Sequence, residues 1–140
     1  MDKARVLFLC TGNSCRSQMA EAIINHHLSD RWEAHSAGTE PSGYVHRYAL
    51  LALAEIGIQH NGRSKSVTEF QGVRFDLVVT VCDSAAEQCP IWLGEGRRVH
   101  VGFPDPAKMT GTPEQILEAF RAVRDDMLKR LPGELKVPER

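Results

Sequence analysis

The most constraining stretch of the chain is an apolar run that ends in a cysteine and leads into small polar residues and an arginine. Residues 6–10, Val-Leu-Phe-Leu-Cys, are typical of a buried strand. A turn-prone segment follows, and apolar residues at helical spacing predict a helix over residues 17–28. A strand, a tight loop and a helix start aim backbone N–H groups and the helix dipole at one point. This pattern predicts an oxyanion cradle formed by Thr11, Gly12, Asn13, Ser14, Cys15 and Arg16.

Cys10 lies at the mouth of this predicted cradle. Arg16 follows six residues later and can fold back as a planar bidentate donor. The guanidinium and the helix start both favour the thiolate, which is the nucleophilic form of cysteine. A structural cysteine at a strand end is the simpler interpretation of Cys10 alone, but Cys-x5-Arg-Ser between a strand and a helix is much rarer. A nucleotide-binding P-loop is excluded because Gly-Lys-Ser/Thr is missing.

The rest of the chain alternates between strand and helix patterns. Further strands are predicted over residues 32–37, 75–82 and 98–102, and further helices over residues 45–56 and 113–131. Thr112-Pro113-Glu114-Gln115 combines an N-cap, a proline at the first helical position and a capping-box Gln, and Pro132-Gly133 is expected to end that helix. Residues 61–66 are predicted to be a surface loop.

The alternation predicts the fold class. We expect one α/β domain over residues 1–140, with a loose tail at 134–140. Its architecture is predicted to be flavodoxin-like, with a four-stranded parallel sheet and helices on both faces.

Three residues with reactive or ionisable side chains are predicted to lie at one edge of this sheet. Cys10 ends the first strand, Cys82 ends the third, and Asp105 follows the fourth. Ligands of such sheets bind outside the carboxyl ends of the strands. Asp105 lies between Pro104 and Pro106, where a simple turn is the plainest interpretation. Facing the Cys-x5-Arg loop, Asp105 is better explained as the general acid that protonates a leaving oxygen.

Composition excludes several classes of function. The formal net charge is −1, so electrostatics favour neither a nucleic acid nor an anionic membrane as partner. The apolar run near the N-terminus is too short for a signal peptide or a membrane span, and we expect a cytoplasmic protein. Four cysteines then suggest chemistry or metal rather than a disulfide framework. Their x4 and x6 spacings suit zinc poorly, so no metal site is predicted.

The run from Cys10 to Glu21, Cys-Thr-Gly-Asn-Ser-Cys-Arg-Ser-Gln-Met-Ala-Glu, resembles the low-molecular-weight tyrosine phosphatase superfamily. More narrowly, it is similar to the thioredoxin-coupled arsenate reductases of that superfamily. The segment Val-Cys-Asp-Ser-Ala-Ala-Glu-Gln-Cys-Pro, which contains Cys82 and Cys89, looks like their redox segment. Two buried cysteines that only fill space are the plainer interpretation of this pair. No redox role is expected for Cys15, whose side chain should pack inward.

The resemblance implies a reaction and a role for each site residue. Cys10 attacks arsenate held by backbone amides and Arg16, and Asp105 assists the departure of water. Cys82 then attacks Cys10 and releases arsenite, and Cys89 attacks Cys82. Ser17 stabilises the Cys10 thiolate, and Asn13 fixes the loop in a left-handed conformation.

The resemblance also implies the partners and cofactors. Thioredoxin would reduce the final disulfide, so no cofactor is needed, and the protein is expected to be a monomer. Some relatives bind potassium beside the cradle, through ligands that correspond to Asn13, Glu21 and Ser36. A further carboxylate expected near position 65 is replaced by Lys65, so potassium dependence is doubtful.

Two other functions fit part of the pattern. A low-molecular-weight tyrosine phosphatase would use Cys10, Arg16 and Asp105 without Cys82 or Cys89. Aromatic residues make up only 6% of the chain, and the segment after Asp105 lacks the tyrosines that such phosphatases usually carry. A redox-sensing or oxyanion-binding module without turnover is the second alternative, and Asp105 argues against it because binding alone needs no acid.

Overall fold

The computed structural model describes residues 3–83, 92, 94 and 96–135. The strands are β1 (Ala4–Cys10), β2 (Trp32–Gly38), β3 (Leu77–Thr80) and β4 (Arg97–His100). The α-helices are α1 (Arg16–His27), α2 (Arg47–Ala54) and α3 (Pro113–Glu134). Each element predicted from the sequence is present, with ends shifted by a few residues. Two short 3-10 helices, Val67–Phe70 and Pro106–Lys108, were not predicted.

The strands form one parallel sheet in the order β2-β1-β3-β4, which confirms the predicted fold class. β1 is central and pairs along its whole length with β2, from Ala4 opposite Trp32 to Cys10 opposite Gly38. On its other side it pairs with β3, with Leu9 opposite Thr80. Because all four strands run the same way, their carboxyl ends meet at one edge of the sheet.

The two faces of β1 belong to different apolar clusters, because successive side chains alternate across a strand. Val6 and Phe8 lie in the larger cluster, together with buried residues of α1, α2 and α3. Leu7 and Leu9 lie in the smaller cluster, against which the 3-10 helix Val67–Phe70 packs. Both faces of the sheet are therefore covered, and every residue from Val6 to Leu9 is fully buried. This burial holds the carboxyl end of β1 rigidly in place.

The C-terminal helix does not end where the sequence predicted. Pro132 lies inside α3, which continues to Glu134. The proline removes one N–H donor from the last turn. That turn is nevertheless held by burial of Leu131 and Leu135 and by the indole of Trp32, which donates to the Leu135 carbonyl oxygen at 3.1 Å. The predicted loose tail therefore does not begin before residue 136, and residues 136–140 lie outside the described chain.

Residues 61–66 form a surface loop, as predicted, and this loop is also hydrogen-bonded to the end of β2. The backbone N–H of Gly38 donates to the Lys65 carbonyl oxygen at 3.0 Å, and Gly38 forms an isolated parallel bridge with Ser66. The segment is thereby fixed next to the carboxyl ends of β1 and β2. Within the described residues, no helix is long and apolar enough to cross a membrane.

Candidate active site

The loop after β1 has its carbonyl oxygens turned outward. Four of them accept hydrogen bonds from surrounding residues at 2.9–3.2 Å. The acceptor–donor pairs are Thr11 with Glu40 N, Gly12 with Ser42 N, Asn13 with Gln18 Nε2, and Ser14 with His46 N. In a trans peptide the N–H points opposite to the carbonyl, so the amides of residues 12–15 point inward. This is the geometry of an anion cradle.

The N-terminus of α1 adds to the positive electrostatic potential inside the cradle. Cys15 is its N-cap residue, and no described side chain caps the helix through a hydrogen bond. The first N–H groups of the helix therefore face the same point as the loop amides, with the positive end of the dipole behind them.

Asn13 has the left-handed conformation that the sequence predicted, with φ of 48°. Its side-chain amide is fully buried, and its orientation follows from its neighbours. The backbone N–H of Lys65 donates to Asn13 Oδ1 at 2.9 Å, and a backbone N–H can only donate. The Nδ2 group of Asn13 therefore faces Ser17, and it donates to Ser17 Oγ at 2.8 Å.

Ser17 joins this amide to the nucleophile. Its Oγ atom lies 2.8 Å from Cys10 Sγ, and Cys10 is only 2% exposed. Ser17 Oγ accepts from Asn13 and keeps its own proton, and when Cys10 is a thiolate only the hydroxyl can donate between the two atoms. A hydroxyl that donates to sulfur stabilises the thiolate, which is the role expected for Ser17.

Arg16 and Asp105 meet at the same edge of the sheet. Arg16 Nη2 lies 3.7 Å from Asp105 Oδ2, and Arg16 Nη1 donates to the Phe103 carbonyl oxygen at 3.2 Å. The side chain of Arg16 is 5% exposed and that of Asp105 is 22% exposed. The second carboxylate oxygen of Asp105 accepts from the backbone N–H of Ala107 at 3.0 Å and caps the 3-10 helix Pro106–Lys108. Asp105 is thus oriented on a fixed backbone, with access to solvent.

Cys82 follows the strand next to Cys10. Beyond the last register pair, the backbone N–H of Val81 still donates to the Leu9 carbonyl oxygen at 2.9 Å. Cys82 therefore lies one residue past the level of Cys10, with Cα atoms about 6 Å apart from strand spacing and rise. It is fully buried in the same apolar cluster as Cys10, and it is disulfide-bonded. Cys10 and Cys15 are free thiols, and Cys89 lies outside the described residues.

Cys15 does not share the environment of Cys10. Its side chain is buried, as predicted. Burial, with the negative charge of Asp105 nearby, raises the pKa of the Cys15 thiol to about 12. This environment favours the protonated thiol of Cys15.

The sequence did not single out Gln18 or His60, and both extend the polar network of the cradle. Gln18 is fully buried, and its Nε2 group donates to Asn13 Oδ1 at 3.0 Å and to the Arg63 carbonyl oxygen at 2.9 Å. Its Oε1 atom accepts from His60 Nε2 at 2.7 Å, which fixes the proton on that nitrogen. The sequence signal for Gln18 was its position in the first turn of a helix with an apolar inner face, where a polar side chain can contact the cradle.

Lys65 lies in a small group of buried charges behind the cradle. Its Nζ atom donates to Ser36 Oγ at 3.4 Å and to the Arg63 carbonyl oxygen at 3.1 Å, and it lies 3.7 Å from Glu21 Oε1. The side chains of Lys65 and Glu21 are only 10% and 12% exposed. Ser36 Oγ in turn donates to Glu21 Oε1 at 3.1 Å. In the described part of the chain, no group of three or more His, Cys, Asp or Glu side chains could hold a metal ion.

Comparison with known proteins identifies the family. The family model for low molecular weight phosphotyrosine protein phosphatase matches residues 5–136. The chain belongs to this family.

Relatives within the family carry different names. An arsenate reductase of Halalkalibacterium halodurans is 46% identical over 132 residues, which cover 94% of each chain. The crystal structure of an arsenate reductase from Archaeoglobus fulgidus is similar with a TM-score of 0.65 and 32% identity, over 87% of this chain and 98% of that one. A low molecular weight protein tyrosine phosphatase from T. tengcongensis matches with a TM-score of 0.67 and 29% identity, over 95% of this chain and all of that one.

The site has the parts needed to transfer the central atom of an oxyanion to sulfur. Cys10 can act as the nucleophile, the inward amides and Arg16 can neutralise an oxyanion, and Asp105 can protonate a leaving oxygen. These residues come from two segments, residues 10–16 and the loop after β4, and the structure brings them together at one edge of the sheet.

Proposed function

We propose that this protein reduces arsenate to arsenite through Cys10, Cys82 and Cys89, and that thioredoxin reduces the resulting disulfide. The observation that carries the proposal is the position of Cys82 beside Cys10. Their Cα atoms, about 6 Å apart, lie within the span of about 4.4–6.8 Å that a disulfide allows. A second thiol within reach of the nucleophile is superfluous for hydrolysis and essential for reduction.

The first step forms a bond between sulfur and arsenic. The Cys10 thiolate attacks arsenate held by the amides of residues 12–15 and by Arg16. An arsenic–oxygen bond breaks, and Asp105, in its carboxylic acid form, gives its proton to the leaving oxygen, which departs as water. Arsenic is still pentavalent at this stage.

The second step transfers the electrons. The Cys82 thiolate attacks Cys10 Sγ, a Cys10–Cys82 disulfide forms, and the sulfur–arsenic bonding pair remains on arsenic. Arsenic leaves as trivalent arsenite, while the two thiols are oxidised. The Cys89 thiolate then attacks Cys82 Sγ and frees the Cys10 thiolate. Thioredoxin, a dithiol, supplies two electrons to the Cys82–Cys89 disulfide and closes the cycle.

The names of the relatives also support arsenate reduction as the proposed function. Proteins named arsenate reductase that are 40–46% identical cover more than nine tenths of this chain. The disulfide-bonded state of Cys82 is consistent with a redox role for that residue. A soluble reductase of this kind would work in the cytoplasm, where thioredoxin keeps thiols reduced.

The test compares two assays on one set of variants. Arsenate-dependent NADPH oxidation, with thioredoxin and thioredoxin reductase present, reports the full cycle. Hydrolysis of p-nitrophenyl phosphate reports the Cys10 step alone, since water ends that reaction. Cys82→Ser and Cys89→Ser should each abolish the first activity and keep most of the second. Cys10→Ser, the matched control, should abolish both.

Hydrolysis of phosphate monoesters is the second candidate function. The match to the phosphatase family favours it, because Cys10, Arg16 and Asp105 suffice for a phosphocysteine pathway. Rapid hydrolysis of p-nitrophenyl phosphate without arsenate turnover would establish it as the main activity. Equal loss of both activities in Cys82→Ser would point to a packing role for Cys82.

A further inference from the structure

Lys65, whose side chain solvent barely reaches, lies next to the cradle residue Asn13. Three oxygen atoms surround the Lys65 ammonium, at 3.1 Å (Arg63 O), 3.4 Å (Ser36 Oγ) and 3.7 Å (Glu21 Oε1). An ammonium has three N–H groups, so its donors match these three acceptors in number. Glu21 is equally buried, and a buried carboxylate requires a compensating positive charge.

We propose that the Lys65 ammonium is a built-in cation, which takes the place of a bound monovalent metal ion and positions the Asn13–Ser17–Cys10 hydrogen-bond chain. Lys65 is thus a positioning residue that touches neither substrate nor sulfur. Its link to reduction rests on the function proposed above, while its effect on Cys10 does not.

The path from Lys65 to the nucleophile is continuous. The ammonium anchors residue 65 to Glu21 and Ser36, which belong to α1 and β2. The backbone N–H of the same residue donates to Asn13 Oδ1 at 2.9 Å. That bond sets which end of the Asn13 amide faces Ser17, so that Asn13 donates to the hydroxyl that lies 2.8 Å from Cys10 Sγ. Loss of the anchor lets residue 65 move and loosens the orientation of Asn13.

A potassium ion does not fit this arrangement. The resemblance to arsenate reductases implies ligands at Asn13, Glu21 and Ser36 and a carboxylate at position 65. In this chain the ammonium already contacts Glu21 and Ser36, and it carries the same charge as the ion it would face. Burial lowers the pKa of Lys65, and the negative charge of Glu21 opposes this shift.

The test measures the alkylation rate of Cys10 by iodoacetamide at neutral pH, in potassium chloride and in sodium chloride at equal ionic strength. The variants are Lys65→Met, which keeps length and removes charge, and Lys65→Asp, which restores a carboxylate. Lys129→Met and Lys129→Asp change an exposed lysine of α3 in the same way. Thermal unfolding of each variant checks the fold.

The wild-type rate should be the same in both salts. Lys65→Met should react about 3- to 10-fold more slowly, the equivalent of one weakened hydrogen bond. In Lys65→Asp the alkylation rate of Cys10 should be low in sodium chloride and return towards the wild-type rate in potassium chloride. A residue with a merely structural role would not produce this salt-specific response. The Lys129 variants should match the wild type.

Three results would overturn the proposal. They are a potassium-specific acceleration of the wild type, an unchanged rate in Lys65→Met, or equal rates of Lys65→Asp in the two salts. The comparison of wild-type rates in the two salts tests the proposal even if a variant fails to fold. Alkylation uses neither arsenate nor thioredoxin, so failure of the reductase assay leaves this test intact, and the reverse also holds.

Discussion

The Sγ atom of Cys10 lies 2.8 Å from the Oγ atom of Ser17, although the two residues are on different elements. β1 ends at Cys10, and Ser17 lies in the first turn of α1. The hydroxyl of Ser17 also accepts from the Asn13 amide, and it is the donor to the sulfur whenever Cys10 is ionised. The nucleophile is therefore tuned by a polar chain that begins outside the cradle, and each link can be tested separately.

Ser17→Ala should slow the reaction of Cys10 with iodoacetamide at neutral pH, because the sulfur loses its only identified hydroxyl donor among the described residues. A hydrogen bond to a charged group is worth about 1.5–3 kcal/mol, so the loss should be roughly 10- to 100-fold. Phosphate-ester hydrolysis should fall in parallel. Ser42→Ala, at an exposed position, is the matched control. An unchanged alkylation rate would show that Ser17 does not stabilise the thiolate.

Asp105→Asn should remove the general acid and preserve the local fold. An asparagine Oδ1 atom can still accept from the backbone N–H of Ala107 and cap the 3-10 helix. Turnover of p-nitrophenyl phosphate and of arsenate should fall by about 10²- to 10⁴-fold, the usual contribution of general acid catalysis. Alkylation of Cys10 should continue. Asp126→Asn, on α3, serves as the control, and full activity in Asp105→Asn would remove Asp105 from the mechanism.

Gly38→Ala should disrupt the cradle from outside. A Cβ atom at position 38 would overlap the Thr11 carbonyl oxygen and lie 3.0 Å from the Asn13 nitrogen. Relieving such overpacking costs about 1–3 kcal/mol, so phosphate binding measured by calorimetry should weaken about tenfold or more. Gly133→Ala is the control, since nothing lies within 4 Å of its Cβ position. Equal phosphate affinity in the two variants would show that the close approach of Gly38 to Thr11 and Asn13 does not shape the cradle.

His60 should make stability depend on pH. Burial lowers its pKa below the usual value of 6.5, with Glu21 opposing and Lys65 reinforcing the shift. Between the two pKa values the unfolded chain binds the extra proton, so the stabilising contribution is complete above about pH 6.5 and is lost as the pH falls below it.

The measurement is urea unfolding of wild type and His60→Gln at pH 7.5 and 5.5. The loss of unfolding free energy between these pH values should be smaller in His60→Gln, by up to about 1 kcal/mol. His26→Gln, at an exposed position, should retain the wild-type loss. Identical pH profiles for wild type and His60→Gln would mean that His60 is not kept neutral by its surroundings.

Local sequence determined the parts of the site that lie close together along the chain. The apolar run of β1, the small residues after it and the periodicity of α1 fix a strand, a loop and a helix in succession. That succession by itself aims the backbone amides of the loop at one point, whereas the left-handed Asn13 was an expectation from the family resemblance. The capping box at Thr112 likewise set the start of α3, because its hydrogen bonds join residues only three apart.

Topology extended the prediction to distant residues. Parallel strands share a carboxyl edge, so the strand pattern predicts that Cys82 and Asp105 lie at the same edge of the sheet as Cys10. The register between β1 and β3 then placed Cys82 one residue beyond Cys10, and the contact with Arg16 oriented Asp105.

Only the tertiary structure decided the contacts that depend on side-chain packing between segments. The burial of Lys65 against Glu21, the bond from His60 to Gln18 and the continuation of α3 past Pro132 each join residues far apart in sequence. The hydrophobic periodicity of the sequence does not predict such pairs. A polar residue in a polar segment gives the same sequence pattern whether its side chain faces water or a buried carboxylate. Burial is a property of the assembled fold, and it is burial that turns a loop lysine into an internal cation.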